Sequence, residues 1–446
     1  MQKDIDNLME KKKYKYIKLR YKFYIAHFVA LSWLGLSIYL SIGWVKDLSE
    51  FVSIYLSILI IAGIAYIPGY INAFNIVSLL LDKQPKFKVF DPEEPVTILI
   101  ACHNEEKSIG TTLEYIANQS YKGHLKVIVI DNNSTDRTAQ VAKQVGEDVG
   151  LDINVIVETK KGKHNALNTA LTIVDTKYMI TLDADTLLMK DSIKNLMSRQ
   201  LSSPDNVVAT AGAVLTRNSR KNFWTRIQEW DYFLGIASIK RMQGMYGGTL
   251  VAQGAYSVYK TEQIREIGGY PDVIGEDIVI TWLLLKKGYS VYFEPLAVAF
   301  TDVPETFNHL QKQRSRWARG MIEALKMIKP WHHKNGFVKY ATGLNMLMPF
   351  IDVIYTFVWI PGIILAFFGY PYIAGILTLL VLPLALIQSY ILYLYQSKNV
   401  FEVLKLKIRK NKLGFIFYIL FYQIIMSPIS IYGYMEEVLK VRRVWK

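Results

Sequence analysis

Acidic and amide side chains follow three short runs that are rich in β-branched residues. They lie at residues 102–106, 131–134 and 183–185. In the third group, Asp183-Ala-Asp185, two carboxylates flank one residue. Such a pair can hold Mg²⁺ or Mn²⁺ and leave coordination positions open for phosphate oxygens. Short acidic pairs are also common in solvated loops, so this motif alone leaves both interpretations open.

Two further polar motifs lie at helical patterns. Gly275-Glu-Asp277 precedes an amphipathic stretch, so its acids are expected at a helix N-terminus, where an acid can also act simply as a cap. Gln313-Arg-Ser-Arg316-Trp317 lies in a helical pattern over residues 307–328, and spacings of three and four place Gln313, Arg316 and Trp317 on adjoining parts of one face. Arg314, Arg316 and Arg319 beside Trp317 also fit an interfacial helix that touches anionic lipid, and both interpretations can hold together if Arg314 and Arg319 face the lipid.

The elements that must position these groups alternate between strands and helices. Runs at residues 96–101, 127–131, 153–157 and 178–183 are separated by amphipathic stretches. This alternation predicts an α/β domain with a mainly parallel sheet, whose ligand lies beyond the carboxyl ends of the strands. No glycine-rich phosphate loop follows the first strand, which argues against a P-loop NTPase and a dinucleotide-binding dehydrogenase.

Composition narrows the class of protein. The 446 residues are 51% hydrophobic and carry 52 Lys and Arg against 38 Asp and Glu, which excludes a disordered chain. The one cysteine, Cys102, excludes an internal disulfide framework and is expected to be a buried thiol at a strand end. The positive charge alone fits nucleic acid, anionic lipid or a phosphate-bearing substrate.

Apolar segments predict membrane spans on both sides of this domain. Residues 28–45, 51–81, 353–397 and 413–435 contain no charged residue, and each run reaches the length of about 18 residues that a spanning helix needs. The third run is long enough for two helices, with a turn at Gly369-Tyr-Pro371. Two spans are therefore expected before the domain and two to three after it, with a kink at Pro428.

Basic runs indicate the orientation of the spans. Residues 11–22 and 398–412 are rich in Lys and Arg, which places both runs and the intervening domain in the cytoplasm. Three C-terminal spans would instead leave Lys440 and the basic residues after it outside. Either the last segment re-enters the membrane or residues 337–348 lie in the interface. Because the positive charge collects beside spans, nucleic acid is the least favoured partner.

The motifs, in their order along residues 95–320, resemble those of family 2 inverting glycosyltransferases. The matching residues are Ala101-Cys-His-Asn-Glu105, Asp131, Lys160-Lys-Gly-Lys163, Asp183-Ala-Asp185, Gly275-Glu-Asp277 and Gln313-Arg-Ser-Arg316-Trp317. Within the family, the last motif followed by membrane helices resembles the processive synthases of cellulose, chitin, hyaluronan and poly-N-acetylglucosamine. The short length and the span plan are most similar to the poly-N-acetylglucosamine branch.

The resemblance implies a GT-A fold and a role for each matched residue on the donor side. Asp131 would contact the uracil of a UDP-sugar, in a nucleotide pocket that Ala101, His103 and Glu105 also line. Asp183 and Asp185 would hold Mg²⁺ or Mn²⁺ at the diphosphate, which Lys163, Gln313 and Arg316 would also reach. The alternatives are that residues 131–136 form only a turn with a helix N-cap and that the lysines at 160–163 form a solvated loop.

The resemblance also implies the acceptor side of the reaction. Asp277 would be the general base that takes the proton of the acceptor hydroxyl, so that the oxygen attacks the anomeric carbon opposite UDP and inverts its configuration. Trp317 would pack under the acceptor sugar. Glu276, Gly254 and Tyr256 complete the predicted substrate-binding residues, whereas Trp224, Trp230 and Tyr232 are expected in the core or an interface.

These interpretations define an expected organisation along the chain. Residues 1–23 form a cytoplasmic basic segment, 24–81 two transmembrane helices, and 82–304 a cytoplasmic GT-A domain. Residues 305–340 form amphipathic interface helices, 341–436 two to three transmembrane helices, and 437–446 a basic tail. Polar residues inside the spans should face protein or a water-filled path rather than lipid; they are Asn72, Asn75, Asn345, Asp352, Gln388 and Gln423.

The predicted protein is a multi-pass enzyme of the plasma membrane. It polymerises a sugar, with GlcNAc as the favoured unit, from a UDP-sugar into a β-linked polysaccharide and exports the polymer through its own channel. Its partners would be the donor, the growing polysaccharide, the bilayer and, as an open possibility, a small accessory membrane subunit. Two other functions stay open: transfer of one sugar to a polyprenyl phosphate carrier, and transport coupled to a nucleotide-sensing domain.

Overall fold

The structure is a computed structural model that describes residues 17–83, 85–375, 381–407 and 411–441. The chain forms two compact units. One comprises residues 1–85 and 353–424, and the other comprises residues 86–352 and 425–446. The predicted strands and all of the predicted site residues belong to the second unit.

The first unit begins with apolar helices. They are α1 (Leu19–Leu40), α2 (Ile42–Ser49) and α3 (Ile54–Leu80). The first helix begins nine residues before the uncharged run at residue 28, and its first turns include the charged residues Arg20 and Lys22. Within this unit, Asn72 accepts a hydrogen bond of 3.0 Å from Gln388, so these two polar groups face protein, as predicted.

The second unit contains an eight-stranded mixed sheet. Its strands are β1 (Val96–Cys102), β2 (Leu125–Asp131), β3 (Asp152–Val157), β4 (Tyr178–Leu182), β5 (Leu187–Leu188), β6 (Val207–Thr216), β7 (Tyr256–Lys260) and β8 (Ser290–Thr301). They are ordered β3-β2-β1-β4-β7-β6-β8-β5. Strands β3, β2, β1 and β4 run parallel, whereas β7 pairs antiparallel with both β4 and β6. The predicted α/β fold is confirmed.

Burial explains why these runs form strands. Every residue of β4 is buried, as is all of β1 except Ala101, so both faces of the central strands are covered. Strand β3, at the edge of the sheet, has exposed residues and no fully buried one. Cys102 is 1% exposed at the end of β1, which confirms the predicted buried thiol.

Helices connect the strands of the second unit. They are α4 (Ile109–Ala117), α5 (Thr138–Asp148), α6 (Lys163–Ile173), α7 (Ser192–Ser202), α8 (Phe223–Trp230), α9 (Ala237–Met245), α10 (Thr261–Glu266), α11 (Glu276–Lys287) and α12 (Phe307–Met327). Helix α11 begins directly after Gly275, and α12 covers the predicted helical pattern. Trp230 and Tyr232 are buried, as predicted.

Three further α-helices follow α12 within the described ranges. They are α13 (Gly336–Phe367), α14 (Val381–Gln396) and α15 (Lys412–Val438). The chain turns after α13 with Gly369 at a φ of 89°, where the sequence predicts a hairpin turn. Helix α15 continues through Pro428. In the second unit, Asp352 accepts hydrogen bonds from Ser427 at 2.8 Å and Tyr434 at 2.7 Å, so this carboxylate also faces protein.

Four of the described helices, α1, α3, α13 and α15, are long and apolar enough to cross a membrane. The division into domains along the chain and the side of the membrane on which each segment lies stay predictions. Residues 442–446, which are half of the predicted basic tail, and residues 1–16 of the predicted basic segment lie outside the described residues.

Candidate active site

The sheet brings the three polar groups to one edge. Cys102 and Asp131 are register partners at the ends of β1 and β2, and β4 ends one residue before Asp183. The backbone continues this arrangement past the strands, because the Asn132 N–H donates to the Cys102 carbonyl at 2.8 Å. The side chains of residues 102–106, 131–134 and 183–185 are therefore neighbours, as expected for the carboxyl ends of parallel strands.

Lys163 is the central cation of this edge. Its ammonium donates to Asp183 Oδ1 at 2.7 Å and lies 3.6 Å from Glu276 Oε1. Burial opposes its charge, but the carboxylates of Asp183 and Glu276 outweigh burial and raise the pKa of Lys163. Burial, together with the charge of Asp277, raises the pKa of Glu276 to about 7 even though Lys163 opposes this shift. Lys163 is thus charged and paired chiefly with Asp183, and it is not part of a solvated loop.

The second acid of the Asp183-Ala-Asp185 motif is held in an unfavourable environment. Burial and the neighbouring Asp183 and Glu105 raise the pKa of Asp185 to about 6. The hydroxyl of Thr301 lies 3.4 Å from its Oδ1. Two carboxylates that repel each other in a partly buried position suit a divalent cation. No group of three His, Cys, Asp or Glu ligands occurs in the described part of the chain, so a cation here would take its other ligands from phosphate oxygens or water.

The residues predicted to line a nucleotide pocket lie beside these acids. His103 Nδ1 is 2.9 Å from the Asn132 carbonyl, and the carboxylate of Glu105 accepts a hydrogen bond from Ser108. Asp131 is 8% exposed, and its Oδ1 accepts a 3.3 Å hydrogen bond from the Ser134 N–H. Residues 131–134 therefore form the turn that the sequence also allows. The second carboxylate oxygen of Asp131 has no hydrogen bond among the described residues. Asp136, shortly after this turn, accepts a 3.0 Å hydrogen bond from the Thr138 N–H at the start of α5, so the segment 131–136 also caps the next helix.

Asn132 has a positioning role that no sequence pattern assigns. Its amide nitrogen donates to the carbonyls of Glu158 at 3.0 Å and Lys160 at 2.7 Å, and its oxygen accepts from the Gly162 N–H at 2.8 Å. These three bonds fix the loop that leads into α6, whose first residue is Lys163. An asparagine at a strand end is usually read as a turn residue, so only the loop's position in space reveals this function.

Gly254 lies between Lys163 and Asp277. A Cβ atom on Gly254 would lie 2.9 Å from the Lys163 ammonium nitrogen. The Gly254 N–H points to Asp277 Oδ2 at 3.4 Å, and the other Asp277 oxygen accepts from the Ile278 N–H at 2.8 Å. Asp277 therefore binds the backbone at the start of α11 and also contacts the segment before β7. Glycine at 254 allows the close approach of these groups.

Tyr256 lies in the core, so the prediction that it binds substrate is wrong. Its side chain is 0% exposed, and its hydroxyl accepts a 2.9 Å hydrogen bond from Ser192. Its ring packs against Gly212, where a Cβ would clash with it. Tyr256 faces the core because it is the first residue of β7 and pairs with Leu182, which fixes the face on which its side chain lies.

Helix α12 presents the predicted Gln313, Arg316 and Trp317. Arg316 is exposed, Trp317 is 38% exposed, and the Gln313 side-chain oxygen is buried without a hydrogen bond in the described part of the chain. Helix α12 packs closely against the start of α11. A Cβ on Gly320 would lie 2.9 Å from the Gly275 Cα, so the two backbones come together at these glycines. The contact sets these three side chains relative to the helix that carries Asp277.

The prediction that Arg314 and Arg319 face lipid is wrong, because both are buried and bind acids. Arg314 forms a 2.7 Å salt bridge with Asp231, and its guanidinium lies 4.1 Å from the centre of the Trp317 ring. Arg319 donates to Glu437 at 3.0 Å. Guanidinium groups stack on aromatic rings and pair with carboxylates, so Arg314 holds the Trp317 ring in place.

Comparison with known proteins identifies the family of this chain. A family model described as glycosyltransferase like family 2 matches residues 92–320, which is more than half of the chain. The chain belongs to this family. The family membership confirms the predicted resemblance and the predicted class of enzyme.

Two relatives of this glycosyltransferase are synthases of staphylococci. The poly-β-1,6-N-acetyl-D-glucosamine synthase of Staphylococcus aureus strain COL is 33% identical over 246 residues, covering 55% of this chain and 58% of the relative. The synthase of the same name from Staphylococcus epidermidis is 31% identical over 276 residues, covering 62% and 65%. The chain thus matches less than two thirds of the length of each relative.

A solved structure shares the fold of the glycosyltransferase. A mannosyltransferase from Pyrobaculum calidifontis, solved in complex with GDP-Man and Mn²⁺, is 20% identical and superposes with a TM-score of 0.58. The likeness covers 86% of this chain and 99% of that one. The likeness therefore extends beyond the sheet domain to most of the length of this chain.

The end of the last helix of the glycosyltransferase is fastened to α12. Glu437 accepts hydrogen bonds from Arg319 and, at 2.8 Å, from Lys326, and Arg319 also donates to the Val441 carbonyl at 2.6 Å. A Cβ on Gly433 would clash with the Ser315 carbonyl oxygen. The C-terminal end of α15 therefore packs on the helix that carries Gln313, Arg316 and Trp317.

We expect Gly433→Ala to lower glycosyltransferase activity about tenfold. The added methyl group must push α15 away from Ser315, which displaces α12 and the three side chains that it presents. Release of nucleoside diphosphate by purified protein measures the effect. Gly343→Ala is the matched control, because a Cβ there meets nothing within 4 Å. Equal activity of the two variants would show that the helix contact does not position α12.

We also expect Gly254→Ala to lower activity at least tenfold. Its Cβ would displace the Lys163 ammonium from Asp183 and disturb the contact with Asp277. The same assay applies, with Gly336→Ala as a control whose Cβ lies in open space. Thermal denaturation of both variants separates a local displacement from unfolding. A fully active Gly254→Ala variant would contradict the placement of Lys163 in the active site.

Proposed function

We propose that the chain is a processive inverting glycosyltransferase that polymerises GlcNAc from UDP-GlcNAc. The observation that carries the proposal is the close succession of Asp183, Lys163, Gly254 and Asp277. This arrangement brings residues that suit a diphosphate close to an acid that can accept a proton. The reaction needs the diphosphate on one side of the anomeric carbon and the acid on the other.

The donor half of the site is built for a nucleoside diphosphate. Lys163 supplies a fixed positive charge, and the exposed Arg316 supplies a guanidinium that matches phosphate oxygens. Asp183 and Asp185 would hold Mg²⁺ or Mn²⁺, which neutralises negative charge on the departing UDP when it is bound. The complex of the Pyrobaculum mannosyltransferase with Mn²⁺ supports a divalent cation. Asp131, Ala101, His103 and Glu105 would bind the uridine.

The acceptor half centres on Asp277. Its carboxylate takes the proton of the acceptor hydroxyl while that oxygen forms a bond to the anomeric carbon, and the bond from this carbon to the UDP oxygen breaks with its electron pair leaving on UDP. Attack opposite the leaving group inverts the configuration and yields a β linkage from an α-linked donor. Glu276 would contact substrate beside it, and Trp317, held by Arg314, offers a ring face for the acceptor sugar.

The membrane helices complete the proposal. The names of the staphylococcal relatives support GlcNAc as the polymerised unit. The polymer would leave through a channel formed by the enzyme's own helices, and the transferase unit would lie in the cytoplasm with the multi-pass chain in the plasma membrane. The contact of Glu437 with Arg319 and Lys326 supports placing the C-terminal end of α15 on the side of the transferase unit. The proposal leaves open whether a small accessory membrane subunit takes part.

A donor screen tests this proposal. Purified protein in nanodiscs receives UDP-GlcNAc, UDP-glucose or GDP-mannose with Mg²⁺ or Mn²⁺, and released nucleoside diphosphate is measured. Digestion of the product with linkage-specific glycosidases identifies the bond that is formed. We expect release from UDP-GlcNAc and a β-linked product. Activity with UDP-glucose or GDP-mannose alone would contradict the proposed donor.

A further inference from the structure

A second lysine contacts the segment that also contacts Asp277, and it has no acidic partner among the described residues. Lys240, in α9, donates a hydrogen bond to the side-chain oxygen of Gln253. The amide nitrogen of Gln253 in turn donates to the Gly212 carbonyl at 2.6 Å. Both ends of the Gln253 amide are thus engaged, which fixes its orientation and aims its oxygen at the ammonium group.

The surroundings of Lys240 differ from those of Lys163. Lys163 contacts two carboxylates, whereas within the described ranges Lys240 has no carboxylate within 4.0 Å. Burial lowers the pKa of Lys240 to about 8, and the charge of Asp277 is the opposing influence that favours the ammonium form. An ammonium group has three N–H donors, so two of them are unused by the described residues. A partly buried cation with unused donors is costly unless a ligand accepts from it.

The position of Lys240 relates it to the reaction. Gln253 directly precedes Gly254, which contacts Lys163 on one side and Asp277 through its N–H. The charge of Asp277 acts on both lysines. Lys163 and Lys240 thus contact the two ends of the segment Gln253-Gly254. If the diphosphate of the donor lies at Lys163, a ligand bound to Lys240 lies at the other end of this segment, where the acceptor must approach Asp277.

We propose that Lys240, oriented by Gln253, binds the acceptor sugar by donating hydrogen bonds to its hydroxyl or acetamido oxygens. This inference rests on the proposed function and adds a residue to its acceptor half. A neutral, oxygen-rich ligand fits because Lys240 and Asp277 together carry no net charge. A phosphate-bearing acceptor would be attracted by Lys240 but repelled by Asp277.

The test uses the full chain in nanodiscs with UDP-GlcNAc as donor and β-1,6-linked GlcNAc oligosaccharides as acceptors. Lys240→Met keeps the length of the side chain but removes its N–H donors, and Lys240→Arg keeps charge and donors. Lys177→Met is the control, since Lys177 is exposed and lies directly before β4, at the opposite end of that strand from the active site. KM for acceptor and KM for donor are measured separately from released UDP and from lengthened oligosaccharide.

We expect Lys240→Met to raise the KM for the acceptor at least tenfold and to leave the KM for the donor within about twofold. Lys240→Arg should stay within about threefold of the native protein in both values, and Lys177→Met should match it. In the native protein the acceptor KM should rise above about pH 8 as Lys240 loses its proton, whereas in Lys240→Arg it should stay flat, because an arginine remains charged. The pH comparison decides the matter even if Lys240→Met folds poorly.

Several outcomes would overturn the inference. They are an unchanged acceptor KM, an equal rise in both KM values, or the same pH dependence in Lys240→Arg as in the native protein. A rise confined to polyprenyl phosphate as acceptor would overturn the assignment to a sugar. Asp277→Asn is measured in parallel. If the native protein lengthens the oligosaccharide and Asp277→Asn does not, the proposed function stands whatever the Lys240 variants do; if the native protein does not turn over the donor, the proposed function fails first.

Discussion

Asp277→Asn is expected to lower the rate of glycosyl transfer by about 10²- to 10⁴-fold, the range that general base catalysis contributes. An amide cannot take the proton of the acceptor hydroxyl, but it has the same shape, and its oxygen can still accept the 2.8 Å hydrogen bond from the Ile278 N–H. Only the weaker 3.4 Å contact with the Gly254 N–H is lost, because the amide NH2 group cannot accept a hydrogen bond. The start of α11 should therefore keep its structure. Donor affinity should change by less than about threefold.

Single-turnover kinetics and a separate titration with UDP measure the two halves of this prediction. Asp148→Asn is the matched control, because Asp148 is exposed at the end of α5 and lies outside the strand-end groups. An Asp277→Asn variant that retains more than about a third of native turnover would show that Asp277 only caps its helix. A variant that loses UDP binding in the same proportion as activity would indicate a structural role.

Asp185→Asn is expected to have two opposite effects, a loss of activity of about 100-fold or more and a gain in stability without divalent cations. The folded state raises the pKa of Asp185 from 3.8 to about 6, so ionised Asp185 destabilises the fold by roughly 3 kcal/mol, as an order of magnitude. This penalty is absent below pH 3.8, grows between pH 3.8 and 6 and is fully present above pH 6. Asparagine removes the charge and the repulsion from Asp183 and Glu105.

Thermal denaturation in EDTA at pH 7.5 should therefore show a higher midpoint for Asp185→Asn than for the native protein, and the difference should largely disappear near pH 4. Adding Mn²⁺ should raise the midpoint of the native protein and have little effect on the variant. Asp148→Asn again serves as the control. A variant that is less stable than the native protein at pH 7.5, or one that keeps its activity, would contradict the placement of Asp185 in a metal site.

The local parts of the fold could be predicted because they depend on local sequence. The buried runs that form β1, β2 and β4 are rich in β-branched residues, and each ends at or directly before a polar residue of the site: His103, Asp131 or Asp183. Gly275 followed by two acids marks the start of α11, because acidic side chains are favourable at the N-terminus of a helix. The carboxyl ends of parallel strands must meet at one edge, so the polar groups of the site could be placed together before any contact was known.

The remaining errors concern contacts between residues far apart in the chain. Arg314 pairs with Asp231, 83 positions earlier, and Arg319 pairs with Glu437, 118 positions later, so neither partner can be inferred from the helix that carries the arginines. Whether Tyr256 faces the core depends on how β7 pairs with β4. Asn132 and Lys240 look ordinary in the sequence, and their roles follow only from the loop and the amide group that they contact.

The measurement that tests the central claim most directly is the length and linkage of the product made from UDP-GlcNAc. Purified native protein and Asp277→Asn are incubated with UDP-GlcNAc and Mn²⁺, and the products are sized by mass spectrometry before and after digestion by β-specific glycosidases. We predict that the native protein forms a β-linked polymer of many GlcNAc units and one UDP per unit, and that Asp277→Asn forms none. A folded native protein that binds UDP but makes no glycosidic bond, or that adds a single sugar to a lipid carrier, would contradict the account.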